Sequence, residues 1–220
     1  MIVTIDGPAG SGKSTAAREL AKALGIAYLD TGATYRAVTL LAMRAGIDMA
    51  DGYALARLAR EMDLELSPGP EGTRVLLGGR DVSRDVRSEE VSANAHYAAN
   101  SRAVREVLVE LQRRLGARLG SFVAEGRDQG SVVFPHADVK FYLDARPEVR
   151  ARRRYDQMLA GRHPAEYKKV LEALVQRDAR DRSRRAGPLV RPGGAVVVDS
   201  SDMTVEKMVA ELRRHVEGAS

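Results

Sequence analysis

Short apolar runs alternate with stretches whose apolar residues recur every three or four positions, and this alternation organises most of the chain. Ile2 to Asp6 predicts a buried strand. Lys13 to Leu24 predicts a helix, with Ala17, Leu20, Ala21 and Leu24 on one face and Gly25 as its stop. Ile26 to Asp30 predicts a second strand, followed by helices over Tyr35 to Ala45 and Tyr53 to Met62. The segment from Leu64 to Val82 departs from this rhythm. Apolar and polar residues alternate there around two turn clusters, Ser67-Pro68-Gly69-Pro70-Glu71-Gly72 and Gly78-Gly79. That pattern predicts a small antiparallel hairpin or meander inserted between helices. Residues 87–116 read as helical, and Ser121 to Glu125, Val139 to Asp144 and Ala195 to Asp199 supply three more strands of the buried type. Helices over 147–160, 164–185 and 203–216 complete the chain. Five apolar strands separated by helices imply an α/β fold, with a five-stranded, mainly parallel sheet and right-handed crossovers. No repeat, low-complexity tract or long linker interrupts the pattern, so a single domain is expected over 1–220.

Composition narrows the picture. With 220 residues, 44% of them hydrophobic, the chain can bury a sizeable core. No run of about 18 apolar residues suggests a membrane span, and the N-terminus lacks the basic start, apolar run and cleavage site of a signal peptide. There is no cysteine, so disulfides, thiolate metal sites and cysteine nucleophiles are excluded. A cytoplasmic protein is the expectation. The net charge of +5 is unevenly placed: residues 146–185 hold 13 Lys and Arg against six Asp and Glu, which leaves the remainder slightly acidic. Arginine dominates, and its planar fork suits phosphate. Nucleic-acid binding is the other reading of such a patch, but aromatic residues are only 5% and do not interleave with the arginines.

The strongest chemical signal is Gly7-Pro8-Ala9-Gly10-Ser11-Gly12-Lys13-Ser14, which matches G-x-x-x-x-G-K-S/T in full, with a strand before it and a helix after it. Glycines let the backbone wrap closely around phosphate oxygens. The loop N–H groups and the helix start, through Thr15, present partial positive charge to ATP. Lys13 is expected to reach the β- and γ-phosphates, and Ser14 to ligate Mg²⁺. This loop does not name the acceptor. There is no N-K-x-D segment for guanine and no apolar strand ending in an Asp-Glu pair, so a small-molecule kinase is favoured over a GTPase or motor.

The acceptor side is where the sequence becomes specific. Asp30-Thr31-Gly32-Ala33-Thr34-Tyr35-Arg36 resembles the D-S/T-G-x-x-Y-R signature of bacterial cytidylate kinases. Gly126-Arg127-Asp128-Gln129-Gly130 resembles that family's G-R-D-x-G. Arg177-Asp178-Ala179-Arg180-Asp181-Arg182-Ser183-Arg184 resembles its R-D-x-R-D-x-x-R, and Phe134-Pro135 and Pro188-Leu189 also agree. The resemblance spans essentially the whole chain in order. It implies a P-loop kinase fold with the β insertion inside a monophosphate-binding region over 31–115 and a short lid over 146–165.

The residues also make chemical sense on their own terms. Phosphoryl transfer between two nucleotides gathers many negative charges, and arginines must offset them. Arg36, Arg127, Arg177 and Arg184 are the candidates, and positions 177, 180, 181 and 184 share a face if helical. Alone, such a stripe would read as a solvated face; beside a phosphate loop it reads as a site. The resemblance implies that Asp181, with Arg180 or its neighbours, contacts the exocyclic amine of cytosine, a group uracil lacks. It implies that Thr31 and Asp128 hold the sugar hydroxyls, that Tyr35 lines the pocket and that Arg105 contacts the base. Nine residues before Arg105, where the family usually has serine, this chain has His96. In the lid, Arg150 and Arg154 are expected to reach ATP on closure. The implied activity is ATP-dependent phosphorylation of CMP and dCMP by a monomer; the alternatives are another acceptor such as UMP, or an ATP-dependent nucleic-acid-binding protein.

Overall fold

A computed structural model describes residues 1–69 and 72–219. Its central layer is a five-stranded parallel sheet of β1 (Ile2–Asp6), β2 (Ala27–Asp30), β6 (Phe122–Gly126), β7 (Val139–Asp144) and β8 (Val196–Asp199), in the order β2-β6-β1-β7-β8. β1 pairs with β6 from Ile2↔Phe122 to Asp6↔Gly126, and with β7 from Val3↔Val139 to Asp6↔Tyr142. This register brings the carboxyl ends of β1, β2 and β6 to one edge. Ligands of open α/β sheets bind at that edge, where the strand order reverses.

The apolar spacing of α1 (Lys13–Leu24) does as expected. Ala17, Leu20 and Ala21 are buried against Val3, Ile5 and Phe141, with α8 (Val205–Glu217) adding Met208, Leu212 and Val216. On the other side, Phe122 packs edge-on against Phe134 at 5.0 Å, with Val109 of α5 (Arg102–Leu119) in the same cluster. A third cluster joins α2 (Gly32–Arg44), α3 (Gly52–Glu61) and α5 through Val38, Leu55 and Leu108.

The segment 64–82 is the expected insertion: a three-stranded antiparallel sheet of β3 (Leu64–Gly69), β4 (Gly72–Leu77) and β5 (Arg80–Asp81). Pro70 and Glu71, at the middle of the first turn cluster, lie outside the described residues. Val75 and Leu77 face Ala33, Ala37 and Leu40 of α2, which seats the insertion on the main domain.

Most elements end within one or two residues of the pattern reading, but α2 starts three residues earlier, at Gly32 rather than Tyr35, and the helices around Ser101 and Arg184 differ more. The helix expected over 87–116 is two helices, α4 (Glu89–Asn100) and α5. Ser101 breaks it by taking an extended backbone and accepting from the Val104 N–H, a serine cap that apolar spacing does not register. α7 (Tyr167–Ser183) is shorter than 164–185, and Arg184 is its C-cap with an extended ψ of 135°. Gln129–Val133, to which the apolar pattern assigns no element, forms a single π-helical turn. α6 (Pro147–Ala160) begins with proline at its first position, as its sequence predicts.

Candidate active site

The phosphate loop leaves the end of β1. Gly7 has φ of 152° and sits so close to β7 that a Cβ there would overlap the Leu143 carbonyl oxygen. Only glycine lets the chain turn at that point without displacing a central strand. Gly12, the N-cap of α1, offers no side-chain cap, and the first turn carries no acidic residue. The helix start therefore keeps its N–H groups for an anionic ligand. Within the loop, Ser11 Oγ donates to Pro8 O at 3.1 Å and Ser200 Oγ donates to Ser11 O at 2.9 Å. Gly10 is exposed, whereas Pro8 is buried and Ala9 and Thr15 are half-buried.

Lys13 is buried, and its Nζ donates to Pro8 O at 2.7 Å. Burial, then the neighbouring Arg127, pushes its ammonium down to about 7. Ser14 is exposed and donates to Glu125 Oε1 at 2.8 Å. Glu125, at the end of β6, was not singled out from the sequence; its position beside the loop comes from the pairing of β6 with β1, and its one legible signal is that it directly precedes Gly126-Arg127-Asp128. Asp6 was missed too. It accepts from the Gln129 and Gly130 N–H groups at 2.8 and 2.7 Å, which binds the end of β1 to the turn that carries Arg127 and Asp128. Burial pushes its carboxyl up to about 7.

Facing the loop is a group of cations around one carboxylate. Arg127 Nε donates to Asp181 Oδ2 at 2.8 Å, and Arg184 Nη2 pairs with the other oxygen of Asp181. Burial opposes ionisation of Asp181, but Arg127 and Arg184 outweigh it and hold the carboxyl below the usual carboxylate range. Arg184 also donates to Asn100 Oδ1 at 3.1 Å, which links the end of α7 to the end of α4. Arg177 is exposed on α7, yet partial withdrawal from water, then the charges of Arg127 and Arg184, push it down to about 10. Lys13, Arg127, Arg177 and Arg184 thus lie close enough for their charges to act on one another. The described groups leave this cluster rich in positive charge, which suits it to hold phosphates.

The remaining expected residues fall into three groups. Arg36, from α2, pairs with Asp30 Oδ2 at 2.8 Å, and its Nε is buried without a partner. Thr31 is buried and donates to Glu125 O at 2.7 Å. Arg105 and Asp128 form a buried ion pair, with Arg105 over the Tyr35 ring at 5.7 Å. Burial pushes Tyr35 up to about 12 and raises Asp128 despite Arg105. His96 is half-buried on α4, one turn before Asn100; its Nδ1 lies 2.7 Å from Ala93 O and its ring lies 4.2 Å from that of Tyr97. Arg180 is exposed on α7. In α6, Arg154 is exposed and lies 3.9 Å from Glu89 of α4, whereas Arg150 is fully engaged inside the protein, with Asp178, Ala145 O and Ala9 O. The basic run at 146–185 is thus partly internal: Arg150, Arg153 and Arg184 all donate to protein groups.

The family described as cytidylate kinase matches residues 3–218. A cytidylate kinase of Mycobacterium avium is 47% identical over 213 residues, covering 97% of this chain and 93% of the relative. One of Pelotomaculum thermopropionicum is 48% identical over 208 residues, covering 94% and 92%. Among solved structures, a shikimate kinase of Bacteroides thetaiotaomicron superposes with a TM-score of 0.51 over 99% of this chain and 98% of its own, at 12% identity, a likeness of fold.

Proposed function

The chain belongs to the cytidylate kinase family, and from that membership we propose that it transfers the γ-phosphoryl group of ATP to CMP and dCMP, giving ADP with CDP or dCDP. The observation that supports this reading is that Lys13 of the phosphate loop lies within reach of the charges of Arg127 and Arg177, and Arg177 within reach of that of Arg184, so that loop and arginines form one cationic cluster. An oxygen of the acceptor phosphate attacks the γ-phosphorus while the bond to the β–γ bridging oxygen breaks, and ADP leaves. The acceptor phosphate is already ionised near neutral pH, so no general base is needed and alignment with charge stabilisation carries the rate.

Each residue then has a role. Lys13 and the first N–H groups of α1, including that of Thr15, hold the donor phosphates. The Ser14 hydroxyl and the Glu125 carboxylate, joined at 2.8 Å, are oxygen donors of the kind Mg²⁺ takes alongside phosphates and water, so the residues present fit that ion. An ion held there would supply positive charge that offsets the negative phosphates. Among the described residues no group of three or more His, Cys, Asp or Glu is placed to hold a metal ion. Arg36, Arg127, Arg177 and Arg184 grip the acceptor phosphate. Thr31 and Asp128 face the sugar, and Tyr35, His96, Arg105 and Arg180 surround the base. Arg154, exposed on α6, closes on ATP as part of a lid over 146–165. The enzyme works as a single-domain monomer in the cytoplasm, with no nucleic-acid partner; no described helix is long and apolar enough to cross a membrane.

Asp181 has two tasks in this scheme. Its oxygens orient Arg127 and Arg184, and a carboxylate retains further lone pairs that can accept from the cytosine N4 amine. Steady-state kinetics with CMP and UMP test the second task. Asp181→Asn should lower the CMP-over-UMP ratio of kcat/KM by about tenfold, the scale of one lost specific contact. An equal loss for both substrates would leave Asp181 as an orienting group alone and remove it from base recognition.

A further inference from the structure

Arg150 and Asp178 come from different helices, α6 and α7, and form an ion pair at 2.5 Å in which both side chains are 3% exposed. Both also bond to the backbone of one residue of the phosphate loop. Arg150 Nη1 donates to Ala9 O at 3.0 Å, and Asp178 Oδ1 accepts from the Ala9 N–H at 3.3 Å. Arg150 Nε is held in turn by Ala145 O at 2.8 Å, at the end of β7. The result is a closed ring of bonds through one peptide segment of the loop. Next to it, Arg150 Cβ and Leu174 pack against Gly10, at 3.1 and 3.4 Å from where a side chain would start.

A buried ion pair is weak evidence for stability, because desolvation offsets much of the attraction. What this pair does is set a distance. Asp178 lies beside Arg177 and one turn before Asp181, the carboxylate that orients Arg127 and Arg184. One residue of α7 thus holds the donor loop, and its neighbours on α7 carry the acceptor arginines. Neither Arg150 nor Asp178 needs to touch a substrate for this.

We propose that Arg150 and Asp178 form a positioning pair that fixes the donor-phosphate loop relative to the acceptor arginines, and so holds the two substrates in line for transfer. The inference rests on the reading of the loop as donor site and of α7 as acceptor clamp. Without the pair each half still binds its own ligand, but the reacting atoms drift out of alignment. Misplacement by about 1 Å can lower a rate by roughly a hundredfold.

Full-length enzyme is assayed for CMP phosphorylation at 25 °C with Asp178→Ala, Asp178→Asn, Arg150→Ala, Arg150→Lys and the double alanine variant, each with its thermal midpoint. Asp178→Ala should lower kcat by roughly ten- to a hundredfold while the KM values for ATP and CMP move by less than about threefold. Asp178→Asn retains an acceptor for the Ala9 N–H and should recover part of that loss. The double variant should be no slower than the slower single one, because the two side chains act as one unit. If either alanine variant fails to fold, Asp178→Asn and Arg150→Lys carry the same kcat-against-KM comparison. Lowered thermal midpoints with unchanged kcat would overturn the inference, as would losses that multiply in the double variant. Native enzyme inactive on CMP would overturn the proposed function and this inference together; native enzyme active beside kinetically normal variants would overturn the inference alone.

Discussion

Lys13 donates to Pro8 O and sits among Arg127 and Arg177, and burial holds its ammonium near 7 rather than at the ordinary 10.5. Donor phosphates would restore its charge, because a nearby anion favours the protonated form. Binding of ATP should therefore take up a proton near pH 7. Calorimetry in buffers of different ionisation enthalpy reads this directly, and the buffer dependence should shrink in Lys13→Met. The same values set the sign of a stability effect. Between about 7 and 10.5 the unfolded chain holds more protons at Lys13 than the folded one, so this group lets stability rise with pH through that window. Asp6 has the opposite sense. Its folded value near 7 lies above the ordinary 3.8, so the folded state holds more protons between them and stability falls as pH rises there. Together they should carve a stability minimum near neutral pH in the ligand-free enzyme, shallower in Lys13→Met and in Asp6→Asn. A second residue-scale outcome concerns Gly187. At φ of 60° it closes over the buried Arg105–Asp128 pair, and a Cβ there would overlap the Arg105 guanidinium. Gly187→Ala should cost about 1–3 kcal/mol in urea unfolding, from overpacking and backbone strain, whereas Gly193→Ala, with open space around it, should cost little.

At the scale of elements, the insertion is attached by a few specific bonds. Arg87 donates to Ser83 O and Thr73 O, each at 2.7 Å, behind the apolar contact of Val75 with α2. Arg87→Ala leaves the Thr73 carbonyl without that donor and should cost about 1–3 kcal/mol. Hydrogen exchange should quicken in β4 and β5 while the parallel sheet keeps its protection. Elements of this kind were legible where one physical signal dominated. β1, α1, β7 and α6 follow the apolar spacing, and the glycine stop of α1 or the proline start of α6, to the residue. The serine break at Ser101 and the early end of α7 escaped because a cap is a local hydrogen-bond choice with no period. For the site, the loop and the arginines were readable as runs of unusual residues. Glu125 and Asp6 were not, since each is a lone acid whose partner is more than 100 residues away and is brought close by sheet pairing; Asp178 lay in the arginine motif, but its bonds to Arg150 and to the Ala9 N–H come from helix packing that no short motif shows.

Taken whole, the molecule gathers one strand edge, one helix start and one arginine-bearing helix at a single site. The parallel sheet supplies the edge, the shared register of β1, β2 and β6 lines up its acids, and α7 brings the cations across from the loop. None of these elements forms the site alone, which is why the family's short motifs lie far apart along the chain. The central claim is that this site passes phosphate from ATP to a cytidine monophosphate. The most direct measurement is ADP release coupled to an optical readout, with CMP, dCMP, UMP, AMP, GMP and dTMP offered in parallel and Lys13→Ala as the background. Rapid release with CMP and dCMP, slow release with the other four and near-silence in Lys13→Ala is the result expected. Release with UMP faster than with CMP, or no release dependent on a cytidine nucleotide, would contradict it.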